Sequence, residues 1–482
     1  MILSGVRKIS CFCLFFCAVF CCYAEIRTVT VLQTTDLHGS PEMARVVSLI
    51  RQQRAADPGL LVIDCGDLTQ GTYESTFDHG ASMICALNAA KYDVFVPGNH
   101  DFDYGAAMLK NNLARLSGVK ALGANLILDG KPMDGWALFE RNGVRIAVIG
   151  IVPPYLFQWI ALPQLSGVRL MSVEQGVAKV MPEIRRAKPD LVILAIHLGE
   201  FSSGRLNEDG RVYALASLLK IFPEISLVLA GHTHQTVPGK YVYPGAWLVQ
   251  PTAHGKNAAL IRLSVDTEKR QTVSVESELI PLEGIDPAAM PEEWKKNLAC
   301  AAAGREDVLT KLPSDFELTP VKSRKVYGTL APLCARAIAE YAGTDLAFSS
   351  SYSSYTCSGR IREYELYRLI PFENFITVLS LTQRELDAVM NEQNALTGSA
   401  EKSFLVQYRR CRQTKETYTV AFGSYAVSGA GGRFPVLKAI AESGAVERQD
   451  LSLTVRDAFR KFLKNTDLTK DLSGATVNGS YQ

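Results

Sequence analysis

Five of the seven histidines stand directly behind short apolar runs, in company with aspartates and one asparagine. The run through Leu32 leads into Asp36-Leu37-His38, and Leu60–Ile63 leads to Gly66-Asp67. Val94–Val96 leads to Gly98-Asn99-His100-Asp101-Phe102-Asp103. Leu191–Ile196 ends at His197, and Leu227–Ala230 ends at Gly231-His232-Thr233-His234. Neutral imidazole suits zinc, iron and manganese, while carboxylate and amide oxygens suit manganese and magnesium. A mixed set of this kind fits a pair of divalent ions, with one aspartate giving an oxygen to each. Glycines before Asp67, Asn99 and His232 allow sharp turns and close approach of the backbone. Taken singly, each fragment is weak. An isolated Asp-x-His is usually a surface turn, and a lone histidine behind a strand is usually a satisfied core residue. Their weight comes from a shared position, because ligands of open α/β sheets bind beyond the carboxyl ends of the strands.

The elements that must position these residues are legible as a layered α/β pattern over 25–282. Short Val/Ile/Leu runs read as strands buried on both faces. Amphipathic stretches alternate with them, at Met43–Ala55, Ala81–Lys91, Ala106–Ser117 and Val173–Arg186. Residues 283–312 are charged and Ala-rich and predict a helical linker. Residues 313–482 predict a smaller α+β domain, its packed part opening near Tyr327 and ending in a polar tail from Leu472. A chain of 482 residues is too long for one core, so two domains are expected.

Arg7 and Lys8 precede an apolar stretch, Ile9–Phe20, and Cys22-Tyr23-Ala24 offers a cleavage site before Glu25. Residues 1–24 therefore read as a signal peptide. The stretch is short for a bilayer span, which needs about 20 residues. Export to a periplasmic or extracellular location follows, with a lipid tether at Cys21 or Cys22 as a variant that Phe20 disfavours. Without Arg7 and Lys8 the 51 basic residues fall to 49, equal to the 49 acidic ones. A neutral protein has no bulk attraction to nucleic acid polymers or anionic membranes, so any phosphate must be held by a local site. Six cysteines follow residue 24 with no zinc-knuckle spacing.

The set Asp36-x-His38, Gly66-Asp67, Gly98-Asn99-His100-Asp101, His197 and Gly231-His232-Thr233-His234 resembles the calcineurin-like metallophosphoesterase superfamily. Gly98 to Asp103, with Pro371-Phe372-Glu373-Asn374 further on, resembles its 5′-nucleotidase branch across essentially the whole chain after residue 24. The resemblance implies a four-layer αββα metallophosphoesterase sandwich followed by the smaller α+β domain. It implies two divalent ions of the zinc, manganese, magnesium or cobalt class. Asp36, His38, Asp67 and His234 would hold one, and Asp67, Asn99, His197 and His232 the other, with Asp67 bridging. His100 would face the substrate phosphate, oriented by Asp103. Such a site is expected to hydrolyse phosphoesters by activating water and neutralising phosphate charge.

In that family a nucleobase stacks between two aromatic rings of the C-terminal domain. Phe372 matches the first, Tyr425 ahead of Gly429-Ala430-Gly431-Gly432 fits the second, and Asn374 completes the motif. One departure stands out. Many 5′-nucleotidases carry a Gly-rich segment with an arginine before Pro-Phe-x-Asn, where this chain has Ser349-Ser350-Ser351-Tyr352-Ser353-Ser354-Tyr355. Arg360 and Arg362 would substitute only if the loop folds differently. The Ser/Tyr-rich version looks more like the 2′,3′-cyclic-nucleotide 2′-phosphodiesterase/3′-nucleotidase relatives. The leading expectation is thus a 5′-nucleotidase-like phosphohydrolase of nucleotides. The other readings are the cyclic-nucleotide enzyme, a silent nucleotide-binding protein, which the intact ligand set opposes, and a thiosulfate-ester hydrolase.

Overall fold

The computed structural model describes residues 25–468 apart from 161, 207–211, 323–327, 397–404 and 412. The expected signal peptide, the opening at Tyr327 and the tail from Leu472 lie outside the described residues.

Two six-stranded sheets stack face to face. In the first, Gln271–Pro281, Asn257–Asp266, Ile26–Thr34, Leu61–Asp64, Val94–Phe95 and Lys120–Ala121 lie side by side in that order. In the second the order is Thr236–Tyr243, Ala246–Pro251, Ile225–Leu229, Leu191–Ile196, Val144–Ile151 and Trp136–Arg141. The strands that precede the metal-type residues pair in parallel, for example Val31 with Leu61, Ile63 with Val94, and Ile193 with Leu227. Their loops therefore emerge along one edge of the sandwich. Antiparallel strands such as Asn257–Asp266, which pairs with Ile26–Thr34, make both sheets mixed.

Residue alternation explains the stacking. Val29, Val31, Leu61 and Ile63 join Ile146, Val148, Ile193 and Leu227 in a buried layer between the sheets. The intervening side chains face outward: Leu32 and Val62 pack under the helices Met43–Ala56 and Ala81–Ala90, while Ile149 and Leu194 pack under Val173–Ala187. A strand buried on both faces has apolar residues at every position, so it reads as a run rather than an alternation. The result is the expected four-layer αββα sandwich.

The linker expectation needs correction. Only Glu292–Arg305 is helical, and its Trp294 is buried in the first domain's core rather than spanning a gap. Val308–Lys311 is already a strand paired with Arg360–Arg362. That pairing joins residues some fifty positions apart, so local composition carried no sign of it.

The smaller domain is built on a five-stranded sheet in the order Val406–Arg409, Leu346–Ser349, Thr417–Gly423, Phe375–Thr382, Arg448–Thr454. Helices Leu330–Ala342 and Val455–Asn465 cover one face, through Ile338, Phe459 and Phe462. Gln383–Asn394 and Pro435–Glu442 cover the other, through Leu386, Val389 and Leu437. All six cysteines among the described residues are unpaired. No helix among them is long and apolar enough to cross a membrane.

Truncating Ile193, fully buried between the sheets, to alanine should lower unfolding free energy by about 2–5 kcal/mol. The exposed Val273→Ala should change it by less than about 0.5 kcal/mol. Denaturant titration of both variants checks the pair. Equal midpoints would contradict the two-sheet core.

Candidate functional site

Each parallel strand delivers its polar residues to the same edge. Asp36 and His38 follow Ile26–Thr34, and Asp67 follows Leu61–Asp64. Asn99 caps a short 3₁₀ turn, His100–Phe102, and His197 directly follows Leu191–Ile196. His232 and His234 lie just past Ile225–Leu229. They form two groups, Asp36 with His38 and His234, and Asp67 with His197 and His232, the ligand atoms of each lying within 4.8 Å of one another. The groups share a boundary. Asp67 Oδ2 is 3.1 Å from His197 Nε2 and 3.9 Å from His38 Nε2. Its other oxygen accepts the His100 amide at 2.7 Å. The single oxygen Oδ2 thus faces both groups, where two bridging oxygens were expected.

The imidazoles are aimed from behind. His38 Nδ1 lies 2.9 Å from the Gln70 carbonyl, and His197 Nδ1 contacts the Cys65 carbonyl. A carbonyl only accepts, so each Nδ1 carries hydrogen and each Nε2 is the nitrogen turned inward. There His38 Nε2 and His234 Nε2 stand 3.0 Å apart, and Asn99 Oδ1 is buried without a hydrogen-bond partner among the described residues. Burial holds His38 down at about 4 and His232 at about 3, against the pull of the neighbouring carboxylates. Burial also opposes charge on His197, yet Asp67 and Asp36 raise it to about 9. Lone pairs and carboxylates crowded around a shared volume call for positive charge there. The mixed nitrogen and oxygen donors fit divalent cations.

The ligand residues themselves carry backbone strain. Asp36, His38, Asp67, His232 and His234 all have φ between +50° and +72°. Such conformations cost non-glycine residues of order 1 kcal/mol or more and persist where the surroundings enforce them. Asp101 supplies much of that enforcement. Its carboxylate accepts the amides of Asp67 (2.9 Å), Leu68 (3.1 Å), Thr69 (3.0 Å) and Gly98 (2.8 Å), and the Thr69 hydroxyl (2.8 Å). It staples the Asp67 loop to the Asn99 loop. The His232 amide donates to both Asp36 oxygens, at 3.1 and 3.0 Å, closing the centre across the two sheets. Close approach accounts for Gly98, where a Cβ would lie 2.4 Å from the Asp67 nitrogen.

Beside the centre, His100 Nδ1 donates to Asp103 Oδ2 at 2.8 Å. Burial disfavours an imidazolium here, but Asp103 and Asp67 raise His100 to about 10. Phe372 stacks on the His100 ring, with centroids 5.9 Å apart and planes 22° from parallel. Gln70, next to the Asp67 loop, ties the domains at this point by donating to the Pro371 carbonyl at 2.8 Å.

A cleft of about 430 Å³ opens between the domains. Asn99, His100, Asp103 and His232 line one side, and Phe372, Asn374 and Tyr425 line the other. Every expected substrate-side residue therefore reaches it. Four groups escaped the sequence reading. Trp159 leans on His232, with centroids 4.8 Å apart, and Gln164 contacts the Asp103 carbonyl. Arg433 lines the cleft and donates to the Tyr425 hydroxyl at 2.8 Å. The His254 ring lies 5.0 Å from that of His38 and 5.2 Å from that of His234. Only Arg433 had a signal, as the residue just past the Gly-rich turn after Tyr425. Arg362, weighed as a substitute cation, instead pairs with Glu365 and Glu306, and neither it nor Arg360 lines the cleft.

Residues 29–236 match the family model of the calcineurin-like phosphoesterases, and residues 307–410 match the 5′-nucleotidase C-terminal domain. The chain therefore combines a calcineurin-like phosphoesterase domain with a 5′-nucleotidase C-terminal domain. Among similar proteins, a 5′-nucleotidase of Vibrio cholerae is 29% identical over 43% of this chain and 40% of its own. A 2′,3′-cyclic-nucleotide 2′-phosphodiesterase/3′-nucleotidase of Haemophilus influenzae is 28% identical over 46% of this chain and 36% of its own. The solved structure of a candidate 5′-nucleotidase from Staphylococcus aureus, in complex with α-ketoglutarate, shares the fold. It has a TM-score of 0.73 and 20% identity over 92% of this chain and 98% of that one. The chain spans between 19% and 52% of the length of the curated relatives it matches.

Gly98→Ala should lower manganese or zinc affinity about 10–100-fold with secondary structure retained, because the Asp67 loop must retreat. Metal titration followed by calorimetry, with circular dichroism as the control, measures it. Unchanged affinity would refute the tight packing of these loops.

Proposed function

We propose that the chain is an exported two-metal phosphohydrolase that removes phosphate from nucleotides. The observation that carries this reading is the single cleft lined by the His100–Asp103 pair and His232 on one side and by Phe372 and Tyr425 on the other. Export rests on the signal-like character of residues 1–24.

In this reading Asp36, His38 and His234 hold one divalent ion, and Asn99, His197 and His232 hold the other, with Asp67 between them. The ions supply Lewis acidity, which activates water and neutralises phosphate charge. The chain's own groups do the rest. His100, kept protonated by Asp103, presents Nε2–H to the phosphate or the departing oxygen and meets the negative charge that develops there. Water adds to phosphorus, the P–O bond to the nucleoside breaks, and the nucleoside oxygen leaves with a proton. Phe372 and Tyr425 stack the base, and Asn374 borders its pocket. Stacking gives affinity at about 1–3 kcal/mol per base and tolerates sequence.

A second reading is favoured by one feature. Ser349–Tyr352 line the cleft, and that segment carries no arginine, as in cyclic-nucleotide and 3′-nucleotide relatives. Phosphate release from metal-stripped and manganese- or zinc-refilled protein separates the two, with 5′-AMP, 3′-AMP, 2′,3′-cyclic AMP and UDP-glucose offered side by side. Metal-dependent release favouring 5′-AMP is expected. Preference for the cyclic and 3′ substrates would move the assignment to the second reading, and no release with metal bound would end both. His100→Asn should keep its metal and lose about 10²–10⁴ in turnover. Undiminished turnover would remove His100 from the mechanism.

A further inference from the structure

The far end of the cleft carries one feature that phosphate chemistry does not use. Among the described residues that line it, Arg433 is the only arginine or lysine. The other charged groups there are compensated: Asp103 pairs with His100 at 2.8 Å, and Glu373 pairs with Arg456 at 2.6 Å. Arg433 stands over the Tyr425 ring at 5.6 Å and commits Nη2 to the Tyr425 hydroxyl. Its Nε is buried and has no hydrogen-bond partner among the described residues. The Ser350 hydroxyl, on the same cleft, is likewise buried and unpartnered. A guanidinium can only donate, and the Tyr425 hydroxyl takes one of its N–H groups. A ligand lying against Tyr425 is matched at this edge when it offers acceptors.

Adenine offers a poor match, because its 6-amino group is a second donor facing a donor. Guanine and hypoxanthine present O6 and N7, two adjacent acceptors that an arginine fork fits. We propose that Arg433 is a specificity-determining residue that selects 6-oxopurine nucleotides over adenine nucleotides. This rests on the nucleotide reading above and adds the base class. Tyr425 supplies the stacking face, and Arg433, locked to its hydroxyl, supplies the edge contact.

The test is calorimetric titration of guanosine, inosine and adenosine into the manganese-loaded protein, alongside kcat/KM for GMP, IMP and AMP. Guanosine and inosine should bind at least about tenfold more tightly than adenosine. In R433Q the ratio should fall to about one, and R433K, which keeps charge but loses the planar fork, should lose most of it. Equal binding of the three nucleosides, no binding of any, or preference for adenosine would overturn the inference. So would R433Q weakening all three equally, which would mean that Arg433 only positions Tyr425. Preferential guanosine binding without phosphate release from any nucleotide would keep the role of Arg433 and discard the hydrolase. Equal kcat/KM for GMP and AMP would do the reverse.

Discussion

Two carboxylates and four imidazoles meet in one volume at the rim of the sandwich, and their mutual electrostatics govern everything built around them. Asp36 and His197 are fully buried, and Asp67 is nearly so. Burying charge without compensation is expensive, and two carboxylates sharing a site repel each other. Such an arrangement is eased by a cation at its centre. It therefore needs a scaffold that cannot relax away from it. Two stacked sheets with helices on both outer faces meet that need, since a strand paired on both sides and buried on both faces has nowhere to shift.

The same requirement explains where strain is stored. Five candidate ligand residues adopt left-handed backbone conformations, and a sixth residue beside them, His254, does too, with φ of +58°. Turning that tightly at the end of each strand brings side chains from different strands within coordination distance. Asp101 makes the turns affordable to fold by gathering amides of the Asp67 and Gly98 segments on one carboxylate. Burial and the charge of Asp67 push Asp101 up to about 6, so the staple itself is held close to its protonation limit. A centre that concentrates negative charge thus strains even its supporting carboxylate, which is a further reason for cations to be part of the folded state.

Much of this was legible beforehand because it is local. The apolar runs, and the His, Asp and Asn residues immediately behind them, lie within a few positions of one another, so the central strands and the candidate residues at their ends could be read off in sequence. Leu191–Ile196 is the strand as read, followed at once by His197. What escaped depends on partners far away in the chain. The Val308–Lys311 ribbon needs Arg360–Arg362, the buried Trp294 needs the first domain's helices, and His254 reaches His38 only because its amide donates to the Asp36 carbonyl at 2.7 Å. Trp159 and Gln164 sit on an irregular stretch whose composition does not distinguish a cleft wall from a surface loop. Phe372 and Tyr425 were placed by resemblance rather than by pattern, since each alone reads as an ordinary core aromatic.

The division between the domains has a chemical logic. In the proposed reaction, water activation and charge neutralisation make the same demands whatever alcohol departs, and they fall to the first domain. Recognition of the departing group makes no demand on the metals and falls to the second domain's loops, where one substitution changes the edge presented to a base. Similarity of fold at 20% identity accordingly shows the fold and says little about the substrate. Here the Ser/Tyr segment and Arg433 are the informative residues, because they alter which hydrogen-bonding partners the cleft leaves unsatisfied. A ligand that presents acceptors to the Arg433 guanidinium gains hydrogen bonds there, while one that presents another donor does not. That asymmetry is how a site with invariant chemistry acquires preference.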